Sequence, residues 1–344
     1  MAAKNLNVVL KQKGQLVLED RPIPTPGPDE VLVRIHSVGI CGSDVHFWKN
    51  GRVAHFVVEN IVLGHEASGT VVGVGSRVHT LKTGDRVCLE PGGACHLCEF
   101  CKGGHYNLCP QGAQQVDGSM CHYYVHPASL CFKLPDNVTL EQGALVEPLA
   151  VAVHTCRRAS VSPGKTILIT GSGAIGLCNL LIARAFGATK IIMTDICPGR
   201  LELAKKLGAT HQVCVRDKSE ELVSEEIKCL LGGCPDITLE CSGAQSCIQL
   251  SLKVTKSGGT VVLVGLGSPE VTLPMPEVVN RELEVRGVFR YTDCYPTVLG
   301  LLSCGALDVG PLMTHRFGIQ DAEEAFRVSQ GGLEGAVKVL VGCE

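Results

Sequence analysis

The chain has 344 residues, enough for two domains at about 150 residues each; 45% are hydrophobic and 19% charged, a globular balance that excludes long-range disorder. Its 31 basic and 34 acidic residues leave a net charge of −3, so no basic excess exists to neutralise phosphates, and nucleic acid is not an expected partner. No run approaches the roughly 18 consecutive apolar residues of a membrane-spanning helix. The opening MAAKNLNVVLKQKG lacks the apolar core and cleavage site of a secretory signal, so a cytoplasmic location away from the membrane is expected. The 19 cysteines, an odd number, then read as thiols, metal ligands or small core residues rather than as a disulfide framework.

Residues 1–150 read as β-rich. Short apolar runs at Val31–Ile35, Thr70–Val74 and Arg86–Leu89 are separated by turns such as the stretch Pro22–Glu30. Cys41, in the stretch Gly39–His46, and His65 and Glu66, just after Gly64, are unremarkable one at a time. Each could be a core thiol, a satisfied histidine or a surface acid. Further on, Cys95, Cys98, Cys101 and Cys109 follow C-x2-C-x2-C-x7-C, with Gly103 and Gly104 supplying the turn that folds the last one back. Four thiolates in 15 residues can close a tetrahedral zinc site with no open position, hence a structural one. An iron–sulfur cluster and four free thiols in a loop are the rival readings. Glu147 lies in Val146–Leu149, and a domain change is expected in the turn residues Arg158–Gly164.

From 165 onward the rhythm changes. Strand-like Thr166–Thr170, Lys190–Thr194, Gln212–Val215, Ile237–Glu240 and Thr260–Val264 alternate with helix-like Ala174–Phe186, Gly199–Leu207, Glu220–Leu231 and Ala244–Thr255. That alternation predicts βαβ units on a parallel sheet. Between the first strand and helix, Gly171-Ser172-Gly173-Ala174-Ile175-Gly176 completes GxGxxG in the required context: a tight turn, a close approach for a pyrophosphate, and a helix N-terminus facing it. Asp195 ends the next strand, 19 residues after Gly176. A carboxylate there accepts from ribose hydroxyls and repels a 2′-phosphate, which favours NAD over NADP; Arg200 nearby keeps NADP possible. The tail from Arg290 to Glu344 is mixed.

Taken together, these residues resemble a known family. Gly64-His65-Glu66-x2-Gly69-x5-Gly75-x2-Val78 matches the signature of zinc-containing medium-chain dehydrogenases/reductases, and the GICGSDVH stretch, the four-cysteine loop, the GxGxxG and Asp195 fall in that family's order. EPLAVAVH at Glu147–His154, GVFRY at Gly287–Tyr291 and the Gly51–Arg52 pair look like its polyol, sorbitol-type branch. The resemblance covers essentially the whole chain. It implies an α/β protein with a GroES-like β-rich catalytic domain over 1–158, a Rossmann doubly wound parallel-sheet domain over 159–288, and a segment 289–344 that returns to the first. It also implies one catalytic and one structural zinc per chain, a homotetramer, and hydride transfer between a polyol and NAD that gives the ketose.

Carried over by position, Cys41 and His65 are catalytic zinc ligands, while Glu66 and Glu147 are the acids. The polyol branch uses Glu66 as third ligand and Glu147 to hold a water. Geometry leaves both open. Successive side chains of a strand face opposite sides, so His65 and Glu66 share a metal only if the chain turns there. Pro148 biases Glu147 toward extended backbone, which could aim it at the site. Ser43 and His46 resemble a proton relay, and Glu147, Arg290 and Tyr291 resemble contacts to substrate hydroxyls. The cofactor set implied is Gly171, Gly173, Ile175, Gly176, Asp195, Arg200, Val264, Gly265, Leu266, Val288, Phe289 and Arg290. Phe47 departs from the branch, which commonly has Tyr there, so one hydroxyl contact is missing; the loop Gln111–Ser119 also looks shorter than in relatives. Alternatives are a secondary-alcohol or threonine-type dehydrogenase of the same family, or a crystallin-like protein without catalysis. Intact Cys41, His65 and the two acids argue against the last.

Overall fold

The computed structural model describes residues 4–53, 56–112, 117–331 and 335–344; the Gln111–Ser119 loop lies partly outside them. The chain divides into two compact units, residues 1–147 with 312–344, and residues 148–311. The first change therefore falls at 147/148 rather than 158/159, and the second at 311/312 rather than 288/289. One helix, Val146–Arg158, runs through the first change, and an unbroken helix carries no turn residues to mark it.

Among the described residues, the first unit is built on a seven-stranded sheet. Its central strand Glu30–Gly39 buries Val31, Val33 and Ile35 completely, with Leu32 and Arg34 turned the other way, the period-2 pattern of a half-buried strand. It pairs antiparallel with Glu66–Val74, Tyr123–Pro127 and the C-terminal strand Lys338–Gly342. The register sets Glu66 and Leu340 on either side of Gly39. Thus the last strand of the chain carries Lys338 to the end of the sheet where Glu66 begins. Trp48 and Phe326 close the core edge to face, ring centroids 5.7 Å apart.

The second unit holds a six-stranded parallel sheet in spatial order His211–Cys214, Lys190–Asp195, Thr166–Thr170, Ile237–Glu240, Thr260–Leu263, Glu284–Gly287. In chain order this is 3-2-1-4-5-6, the doubly wound arrangement, with its switch point between the first and fourth strands. Ile167, Leu168 and Ile169 are completely buried, as expected of a strand covered on both faces.

Candidate active site

Cys41 caps the helix Gly42–Asn50, and the helix's third residue, Asp44, organises what surrounds it. Asp44 is buried; its carboxylate accepts from the amides of Cys41 (3.1 Å) and Gly64 (3.4 Å) and stands 3.3 Å from His65 Nδ1. Gly64 has φ 92°, a conformation that a residue with a Cβ rarely adopts, and it turns the chain immediately before His65. The strand begins at Glu66. His65 therefore precedes the regular pleat, and the two neighbours can serve one site. The donor atoms of Cys41, His65 and Glu66 all lie within 4.8 Å of one another. Glu147 is not in that group. It sits, largely buried, in the first turn of Val146–Arg158. The extended backbone expected before Pro148 is not found: Pro148 occupies the first helical turn, where its missing N–H costs no hydrogen bond.

Glu66 has a partner that sequence reasoning missed. Lys338 Nζ donates to both of its carboxylate oxygens at 2.7 and 2.8 Å, and to the Ile40 carbonyl at 3.1 Å. A Cβ on Gly39 would lie 2.2 Å from a Glu66 oxygen, so that glycine makes the room the carboxylate occupies. Partial burial disfavours a charged imidazole at His65, yet the Asp44 carboxylate and the Cys41 sulfur outweigh it and hold the pKa well above the usual value. Such an anionic surround attracts a cation of any kind. One thiolate, one imidazole and one carboxylate, with Cys41 and His65 partly exposed, suit a zinc ion that keeps a coordination position open. Ser43 and His46 lie one turn apart on the Gly42–Asn50 helix. Ser43 is partly buried and His46 exposed, its Nδ1 3.3 Å from Asn50 Nδ2. Phe47 packs against the core.

The four cysteines form a second cluster, their sulfurs all within 4.8 Å of one another. Cys95 Sγ and Cys101 Sγ are 3.9 Å apart; ligands 2.3 Å from a tetrahedral zinc would be separated by about 3.8 Å. Backbone amides point at the sulfurs: Leu97 and Cys98 to Cys95 Sγ, Cys101 to Cys98 Sγ, and Cys95 to Cys109 Sγ. The Cys95 amide is the main reason that the Cys109 thiol is lowered to about 6. The donor set fits a closed four-thiolate metal site. Tyr106 anchors the lobe through its hydroxyl, which donates to Glu90 at 2.7 Å.

In the second unit the glycine turn has the shape a pyrophosphate needs. Gly171 has φ 91°, and a Cβ on Gly176 would meet the Gly171 carbonyl oxygen at 1.8 Å, so helix and strand touch only because Gly176 is glycine. Gly173 begins the Ala174–Ala185 helix without a side-chain cap, and a Cβ there would meet nothing within 4 Å; the space before the helix N-terminus is open. Asn179 donates to the carbonyl of Ile175. Asp195 accepts from the amides of Ser172 (2.6 Å) and Cys197 (2.8 Å), which fixes its carboxylate beside the turn with lone pairs left for a ribose. Arg200 is on the next helix, Pro198–Lys206. Across the switch point, Val264 and Gly265 both donate to the Glu240 carbonyl, and Leu266 is exposed. Val288 donates to Leu263, Phe289 is partly exposed with the Arg290 guanidinium 5.2 Å from its ring centre, and Tyr291 is buried.

Two family models match this layout: an alcohol dehydrogenase GroES-like domain over residues 27–136 and a zinc-binding dehydrogenase domain over residues 174–303. The chain belongs to the zinc-binding dehydrogenase family. It is 49% identical over 346 residues to the sorbitol dehydrogenase of Gallus gallus, covering 99% of this chain and 97% of that one. Among solved structures it is similar to an Escherichia coli oxidoreductase/dehydrogenase of unknown specificity (TM-score 0.93, 36% identity, 99% of both chains). It is also similar to E. coli L-idonate 5-dehydrogenase (TM-score 0.90, 30% identity, 99% of both chains). The α/β fold, with a GroES-like domain and a doubly wound parallel sheet, is that of the family.

Proposed function

We propose that this family member is a zinc-dependent polyol dehydrogenase that interconverts a sorbitol- or xylitol-like polyol and its ketose with NAD. The observation that carries the reading is the grouping of Cys41, His65 and Glu66 donor atoms in a chain 49% identical, end to end, to a sorbitol dehydrogenase. When bound, zinc supplies Lewis acidity toward a substrate hydroxyl and the nicotinamide supplies the hydride acceptor. Cys41, His65 and Glu66 hold the catalytic zinc. Glu147 orients a water or hydroxyl, and Cys95, Cys98, Cys101 and Cys109 hold a second, structural zinc. Ser43 takes the hydroxyl proton and His46 passes it to solvent.

Gly171, Gly173, Ile175 and Gly176 cradle the pyrophosphate, and Asp195 binds the adenosine ribose, favouring NAD, with Arg200 beside it. Val264, Gly265, Leu266, Val288, Phe289 and Arg290 complete the cofactor contacts. Arg290 and Tyr291 bond further hydroxyls of the polyol, and Phe47 leaves one such bond unmade. The outer edge of strand Glu284–Gly287 has no partner strand among the described residues, and Val285, Val279 and Met275 are exposed; a second copy of the chain pairing there begins the homotetramer. The setting is cytoplasmic. No helix of the described residues is long and apolar enough to cross a membrane.

A substrate panel tests the reading. Each buried polar partner left unpaired costs about 1–3 kcal/mol, so roughly two idle contacts predict that kcat/KM for sorbitol or xylitol exceeds that for 2-propanol by about a hundredfold. Equal values would move the protein to the secondary-alcohol branch, and no turnover with either would favour a non-catalytic role.

A further inference from the structure

The segment after strand Glu284–Gly287 carries Arg290 and Tyr291, and its backbone is held in a conformation it would not choose. Arg290 and Asp293 both have φ 50°, in the left-handed region that side chains with a Cβ avoid. Two such residues within four persist only where the surroundings over-determine them. The last turn of helix Val146–Arg158 does this from both ends. Arg157 Nη1 donates to the Asp293 carbonyl at 2.8 Å and to Cys294 Sγ at 3.4 Å, while its Nη2 donates to Thr297 Oγ1 at 2.8 Å. Upstream, Arg286 donates to the Arg158 carbonyl at the helix C-terminus, where orphan carbonyls and the helix dipole favour a cation. Between these two ties Tyr291 is buried, with its ring centre 5.6 Å from that of Tyr295.

We infer that Arg157 is a positioning residue for polyol selectivity: its planar fork fixes the turn at Asp293–Thr297 and so aims the side chains of Arg290 and Tyr291. The inference rests on the reading above that those two side chains bond substrate hydroxyls. Arg157 itself is solvent-exposed, where substitution ordinarily changes little. All three of its acceptors belong to the five residues Asp293–Thr297, so losing the fork removes three ties between the helix's last turn and that segment. Lysine cannot replace it, because one ammonium on a flexible stem does not match two acceptors set apart for a rigid fork.

The test measures kcat and KM for sorbitol and 2-propanol, with NADH binding by fluorescence and thermal unfolding, in the zinc-loaded wild type, Arg157→Ala and Arg157→Lys. In Arg157→Ala, loss of the fork should raise the sorbitol KM and lower the sorbitol-to-2-propanol ratio of kcat/KM about tenfold. NADH affinity and melting temperature should stay near wild type, and Arg157→Lys should move the ratio the same way by less. An unchanged ratio overturns the inference, as does a proportional loss toward both alcohols, which marks a merely structural role. If Arg157→Ala does not fold, the ratio in Arg157→Lys decides by the same criteria. A wild type without polyol preference overturns the parent reading, and this inference with it; a wild type with the preference that Arg157→Ala retains overturns the inference alone.

Discussion

Lys338→Met removes the cation from a pair in which the Glu66 side chain is 1% and the Lys338 side chain 4% exposed. Deleting one partner of so buried a pair leaves an uncompensated charge and costs roughly 3–5 kcal/mol, whereas replacing both partners by neutral groups of similar volume recovers much of that. Lys338→Met should therefore destabilise the first unit by about 3 kcal/mol or more, and adding Glu66→Gln should return at least about half of the loss. Trp48 is the only tryptophan of the chain and is buried in that unit's core, so its fluorescence during chemical unfolding reports this unit and not the other. Zinc sharpens the test. If Glu66 is a ligand, Lys338 and the metal compete for one carboxylate. The cost of Lys338→Met should then be smaller in zinc-loaded than in metal-depleted protein, and the variant should hold zinc more tightly than wild type. A loss under about 1 kcal/mol with additive single and double variants would refute the buried-pair argument. An equal loss with and without zinc would remove Glu66 from the ligand set.

Four further outcomes are expected. Cys98→Ser opens the four-thiolate cluster and should lower the zinc content by one per chain and the melting temperature, while the zinc at Cys41 and His65 stays; metal analysis and calorimetry check this. Asp195→Ala should lower kcat/KM for NAD about a hundredfold, since charge-assisted bonds to the ribose are each worth about 1.5–3 kcal/mol, and should shift the NAD-to-NADP ratio toward NADP; an unmoved ratio counts against the ribose assignment. Phe47→Tyr should lower the KM for sorbitol and leave 2-propanol unaffected, because the added hydroxyl needs a second hydroxyl on the substrate. Burial pushes His126, whose ring bonds the Glu90 carbonyl, down to about 4. Between that value and the ordinary 6.5 the unfolded chain binds a proton that the folded chain does not, so stability falls as pH drops through this window, by about 3 kcal/mol from this group; His126→Gln should flatten the dependence of Trp48-monitored unfolding on pH.

How much of this was legible in the sequence follows from how far apart the cooperating residues lie along it. Thr166–Thr170, Glu220–Leu231 and Ile237–Glu240 have the same limits in sequence and structure, because continuous apolar runs and amphipathic periods are local properties. The cysteine cluster and the glycine turn were legible for the same reason: each site is closed by residues within 15 positions of one another. Asp44 left a readable trace, since an acid at the third helical residue after a capping position is a known helix-start pattern. The helical backbone at Glu147 was not legible, because Pro148 favours extended backbone before it in general, while a first helical turn tolerates proline without penalty. Lys338 left no trace at all. It lies 272 positions from Glu66, and only the antiparallel seating of Lys338–Gly342 beside Glu30–Gly39 brings its ammonium to that carboxylate. A one-residue slip in that register would turn Lys338 to the opposite face and leave Glu66 buried without its cation. The charge balance around Glu66 therefore depends on the pairing of the C-terminal strand, although Cys41, His65 and Glu66 all lie outside that strand.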